Sequence, residues 1–175
     1  MERHHIDVML DEETVDRRIR ELGEEISRDY EGKTVYLICI LKGSVYFTCE
    51  LAKRITVPVV MDFMQCSSYG AATKSSGVVN LSKDLDMAIT DQDVIIIEDI
   101  IDSGRTLSHL KSLLEQRKPA SLRICTLLDK PERRVSDVDV DYVGFQIEDK
   151  FVVGYGLDYD QQYRNLPYIG VVEFD

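Results

Sequence analysis

The chain has 175 residues, 44% of them hydrophobic and 30% charged, which suits a single soluble domain with a sizeable core. Its net charge of −11 excludes the basic footprint that broad nucleic-acid binding needs, although a few local donors and a cation can reverse the sign inside one pocket. The longest apolar run, "VYLICIL", is too short to cross a bilayer, the N-terminus carries no export pattern, and the four cysteines have no C-x-x-C spacing. These features lead to the expectation of a cytoplasmic protein with reduced thiols, no membrane partner and no zinc site, with Cys39 and Cys125 as core residues.

In chain order, "LDEETVDRRIRELGEEISRDY" places Val15, Ile19, Leu22 and Ile26 on one helical stripe, with Asp11 suited to cap its start and Gly32 to close it. "KTVYLICIL" reads as a strand, 43–55 as a helix and 57–69 as a second strand. The small, polar stretch 70–77 reads as a loop, from which "VVNLSK" returns as a strand. "VIIIED" is the next strand and 106–118 the next helix, with Leu107, Leu110, Leu113 and Leu114 at helical spacing and Pro119 at its end. "SLRICTLLDK" and "DYVGFQI" are further strands. Alternating strands and helices with nearly continuous apolar strands predict an α/β fold, a mainly parallel sheet flanked by helices. The expected core runs from about 11 to 146. "FVVGYGLDYDQQYRNLPYIGVVEFD" breaks the alternation and predicts a small lobe over one edge, a hood of 147–175 plus the N-terminal segment.

The stretch "VIIIEDIIDSGRTL" carries the chemistry. Glu98 and Asp99 close a strongly apolar strand, where an unpaired charge is costly. In an open α/β sheet, ligands bind beyond the carboxyl ends of the strands, and both carboxylates can curl over a ligand from a frayed strand end. Adjacent carboxylates suit vicinal sugar hydroxyls or the water around magnesium. "DSGRT" then offers Gly104 for close backbone approach, hydroxyls from Ser103 and Thr106, and the free N–H groups of a helix start, a small phosphate cradle. Carboxylates for a sugar beside amides for its phosphate describe a phosphorylated-ribose site. A lone Glu-Asp pair would be read as an acidic turn; the apolar strand before it and the D-S-G-R-T after it favour the site.

This stretch resembles the phosphoribosyl-pyrophosphate motif of type I phosphoribosyltransferases. With "ILKGSVYF", "SSYG", "LLDKPERR" and the C-terminal "FVVGYGLDYDQQYRNLPYIGVV" in the family's order, the chain resembles the purine-salvage branch, the hypoxanthine (hypoxanthine-guanine) phosphoribosyltransferases. The resemblance implies transfer of the phosphoribosyl group to a 6-oxopurine with magnesium as cofactor, in a homodimer or homotetramer. It implies that Glu98 and Asp99 hold the ribose hydroxyls and metal, and that Asp102, Ser103, Gly104, Arg105 and Thr106 line the 5′-phosphate pocket. Asp102 is also the implied base towards purine N7. Lys42, Gly43 and Arg164 match pyrophosphate contacts, with a Leu41–Lys42 peptide that is often cis in the family. Lys130, Phe151, Val152 and Asp158 match the purine side, Asp158 also as a metal ligand. Ser68 and Tyr69 match the opening of a lid. Arg105 stands where the family varies, and the acidic Asp129 before Lys130 departs from the pattern. His4, His5 and His109 read as incidental. Two other readings share the fold: a regulator that binds phosphoribosyl pyrophosphate and nucleic acid, and a xanthine-preferring transferase.

Overall fold

The computed structural model describes residues 2–67 and 79–175. Its main sheet contains β2 (Val35–Leu41), β3 (Val59–Ser67), β4 (Asn80–Lys83), β5 (Asp93–Ile101), β6 (Ser121–Asp129) and β7 (Tyr142–Gln146), in the order β4-β3-β2-β5-β6-β7. All neighbouring pairs are parallel except β3 with β4 at one edge. Helices α1 (Glu12–Asp29) and α2 (Val45–Lys53) cover one face and α3 (Arg105–Glu115) the other.

The central strands β2, β5 and β6 are largely apolar because each face has its own core. Leu37, Ile95 and Ile97 pack with Ile19, Leu22, Phe47 and Leu51 beneath α1 and α2. Ile38, Ile40 and Ile96 point the other way, against Leu107, Leu110 and Leu114 of α3. The period-2 alternation of a strand thus appears as two buried sets, with no polar face. Cys39 and Cys125 are fully buried within this core, as expected. Asp11 caps α1, its carboxylate accepting from Thr14 N at 2.8 Å, which holds that carboxyl below the usual range.

A second sheet has the order β1-β9-β8, formed from β1 (His4–Leu10), β8 (Val152–Val153) and β9 (Ile169–Phe174). Both of its pairings are antiparallel, and Ile6 lies opposite Val172. The first strand has weak alternation of its own; its partner β9 supplies the backbone bonds that make it a strand.

Asp62 is only 2% exposed on β3, yet it is satisfied by three backbone N–H groups, Phe63 at 2.8 Å and Asp86 and Met87 at 3.0 Å each. It pins the segment after β4 to the sheet. A buried carboxylate fixed in this way acts as a staple.

Candidate active site

Because β2, β5 and β6 are parallel neighbours, their C-terminal ends share one edge of the sheet. An open cleft of about 700 Å³ lies there, lined by Lys42, Gly43, Glu98, Asp99, Asp158 and Arg164, together with Gln65, Cys66 and Gln161. Residues far apart in sequence, Lys42, Glu98 and Arg164 among them, therefore line one cavity.

Glu98 and Asp99 do not lie on a frayed strand end, as the sequence suggested. They sit inside β5, which stays paired with β6 as far as Ile101 opposite Asp129. Pairing with β2 stops at Cys39 opposite Ile97, and that one-sided release opens the cleft beside them. Burial pushes both carboxyls above their ordinary range, and the charge of Asp99 raises Glu98 further. The Ile100 N–H, 2.8 Å from Asp99 Oδ1, and the field of Arg164 partly relieve Asp99. Crowded carboxylates that hold protons tightly are a donor set suited to a cation. Among the described residues no cluster of three His, Cys, Asp or Glu forms a complete metal site. Magnesium commonly takes one or two protein carboxylates and completes its shell with water and phosphate, so these residues fit it in that mode.

The Leu41–Lys42 peptide is cis. Gly43 packs directly between two other parts of the site: a Cβ there would overlap the Asp99 carboxylate, and a Cβ on Gly156 would overlap the Gly43 carbonyl. The loop after β8 carries Asp158, Gln161 and Arg164. Arg164 donates to Gly156 O at 2.7 Å and Gln161 Oε1 at 3.2 Å, and pairs with Asp158 at 3.4 Å. Lys42 Nζ reaches the same Gln161 oxygen at 3.4 Å. The sequence reading missed Gln161, and no local signal marks a glutamine that bridges two cations from a loop.

Beyond β5, Asp102 to Thr106 form the turn into α3. The N-cap is Gly104 at φ 80°, and no side chain caps the helix. Apart from the Arg105 N–H, its first-turn amides have no side-chain acceptor, and an anion is favoured at such a helix start. Arg105 is exposed, its N–H 3.3 Å from Ser103 Oγ. Asp102 does not cap α3; its carboxylate lies 3.7 Å from Lys130 Nζ.

Lys130 follows β6 and is buried at 7% exposure. Asp129, the departure from the family pattern, pairs with Arg134. Arg134 in turn donates to Asp102 O at 3.3 Å and lies against the space where a Gly104 Cβ would stand. Phe151 is 46% exposed and Val152 is buried at the start of β8. Behind Phe151 stand Tyr159 and Phe174, and His4 joins them, bonded to the Tyr163 hydroxyl at 2.7 Å. His4 thus has a structural part in the aromatic cluster beside the three-stranded sheet. Ser68 and Tyr69 lie outside the described residues.

The phosphoribosyl transferase domain model matches residues 5–160. The hypoxanthine-guanine phosphoribosyltransferase of Bacillus subtilis is 49% identical over 174 residues, covering 99% of this chain and 97% of its own. That of Streptococcus thermophilus is 49% identical, covering 95% of this chain and 92% of its own. A crystal structure of a hypoxanthine-guanine phosphoribosyltransferase from Bacillus anthracis superposes with a TM-score of 0.93 at 48% identity, covering 97% of this chain and 100% of that one. The motif at the end of β5, the sheet order around it and these likenesses agree: the chain belongs to the phosphoribosyltransferase family.

Proposed function

We propose that this phosphoribosyltransferase joins hypoxanthine, and also guanine, to phosphoribosyl pyrophosphate, releasing pyrophosphate and the nucleoside 5′-monophosphate (IMP or GMP). One observation carries the reading beyond the family: the buried Lys130, just past the end of β6, stands 3.7 Å from Asp102, three residues beyond the paired carboxylates, and 3.5 Å from Asp149, two residues before the exposed Phe151.

In this reading the bond from C1′ to the pyrophosphate oxygen breaks while the bond from C1′ to purine N9 forms. Positive charge develops on the ribose, and Glu98 and Asp99 stabilise it while holding the sugar hydroxyls. Ser103, Gly104, Arg105 and Thr106 bind the 5′-phosphate through the first-turn amides and hydroxyls. Lys42, Gly43 and Arg164 receive the leaving pyrophosphate, the guanidinium suiting its geometry. Asp102 takes the proton from purine N7. Phe151 stacks on the base, Val152 reads its edge through backbone groups, and Lys130 donates to the 6-oxo oxygen. Glu98, Asp99 and Asp158 would hold magnesium, which supplies charge neutralisation to the pyrophosphate.

We also read the chain as one domain, with its core over about 11–146 and a hood of 147–175 plus the N-terminal segment. Four free thiols fit a cytoplasmic location. The homodimer or homotetramer that the family resemblance implies is checked by light scattering.

Competition of hypoxanthine, guanine, xanthine and adenine for phosphoribosyl pyrophosphate and magnesium tests the function. An ammonium group only donates, so it finds no partner in a 6-amino group. Adenine should be poorer than hypoxanthine by about 10⁴-fold, since a site built for one hydrogen bond rejects analogues lacking it. Equal use of adenine would overturn the base assignment, and a clear preference for xanthine would replace hypoxanthine as the substrate.

A further inference from the structure

A buried ammonium needs anionic company, and Lys130 has it from two separate elements. Asp102, just after β5, lies 3.7 Å from Nζ. Asp149, in the segment between β7 and β8, lies 3.5 Å away. The reaction as read above uses Asp102 as the base and gives Asp149 no part.

We propose that Asp149 is a positioning residue of the base site: it holds the Lys130 ammonium between two carboxylates, aimed at the purine 6-oxo group instead of collapsed onto Asp102. This rests on the base-site reading given above. Two physical arguments support it. With Asp102 as the only counter-ion, the ammonium would close onto it, spending its donors there and making Asp102 a weaker base. Moreover, Asp102 is neutralised once it takes the N7 proton, whereas Asp149 keeps its charge and remains a counter-ion for the buried lysine throughout. Asp129, the other carboxylate nearby, is already paired with Arg134. Asp149 is also two residues before Phe151, so the same short segment presents the counter-ion and the stacking ring.

The bland reading is that Asp149 serves only to clasp Arg133, 3.4 Å away, in a pair whose side chains are 42% and 54% exposed. Exposed pairs of that kind contribute little. Arg133→Ala removes the clasp and leaves the contact with Lys130, so it separates the two roles.

The test is steady-state kinetics with hypoxanthine, adenine and phosphoribosyl pyrophosphate on the purified enzyme and on Asp149→Asn, Asp149→Glu, Arg133→Ala and Lys130→Gln. Asp149→Asn should raise KM for hypoxanthine by roughly ten- to a hundredfold, the size of effect that small misplacements cause, and leave KM for phosphoribosyl pyrophosphate within about twofold. It should also narrow the preference for hypoxanthine over adenine. Asp149→Glu keeps the charge and should fall between Asp149→Asn and the parent, which preserves a readout if the amide variant folds poorly. Arg133→Ala should match the parent. If Arg133→Ala reproduces the Asp149→Asn defect, the clasp is the whole role and the inference is overturned. If Asp149→Asn matches the parent while Lys130→Gln loses base preference, the inference fails and the base site stands. If Lys130→Gln leaves base preference untouched, the base-site reading fails and the inference with it.

Discussion

Gly43 and Asp99 touch so closely that the site has no room for a side chain between them: a Cβ on Gly43 would overlap the Asp99 carboxylate. On its other side the Gly43 carbonyl meets Gly156, which has φ of 99°. Three segments, from β5, from the turn into α2 and from the loop after β8, are stacked through two glycines.

Gly43→Ala should therefore rotate the Asp99 carboxylate and lower kcat/KM for phosphoribosyl pyrophosphate by about 10–100-fold, with a stability loss of about 1 kcal/mol because that side chain can move. Gly156→Ala meets backbone in a left-handed conformation and should cost more stability, about 2–4 kcal/mol. Chemical denaturation and steady-state kinetics measure both. Equal stability losses would contradict the contrast between a movable side chain and a fixed carbonyl.

The carboxyls of Glu98 and Asp99 bind protons more tightly in the folded protein than in the unfolded chain. For groups raised in the folded state, ionisation destabilises the fold. The penalty is absent below the unfolded carboxylate range near pH 4 and grows as pH rises through the raised values. Asp99→Asn removes one of the two charges and keeps an oxygen for the Ile100 N–H. In the ligand-free protein it should raise stability on the order of 1 kcal/mol at pH 8 and much less at pH 4.5. Thermal melts at the two pH values decide it; a gain confined to pH 4.5 would reverse the sign.

Asp102→Asn should slow the chemical step and leave phosphoribosyl pyrophosphate affinity nearly intact. General-base catalysis contributes roughly 10²–10⁴-fold, and the lower end is expected because the leaving group departs ahead of attack by a weakly acidic purine. An unchanged single-turnover rate would remove Asp102 from that role.

Arg134 joins Asp129 to the carbonyl of Asp102 and packs along Gly104. Arg134→Ala leaves the buried Asp129 carboxylate without its partner, which should cost about 3 kcal/mol, and loosens the turn into α3. KM for phosphoribosyl pyrophosphate should rise more than KM for hypoxanthine. A selective rise in the latter would place Arg134 with the base site instead of the phosphate turn.

The sequence by itself determined whatever is encoded within one or two turns of chain. The stripes of α1 and α3, the two-sided apolar strands and the run from Glu98 to Thr106 are local patterns. Periodicity and turn chemistry act over fewer than about a dozen residues, so they are legible without the fold. Tertiary structure alone decided what meets across the chain. β1 becomes a strand because β9, more than 150 residues later, pairs with it. Lys42 finds Gln161, and Lys130 finds Asp149, because sheet order brings their loops to one edge. The release of β5 from β2 beyond Ile97 likewise depends on where two strands end relative to each other. A solvated charge and a counter-ion look the same in sequence; only burial and the partner across the cleft distinguish them.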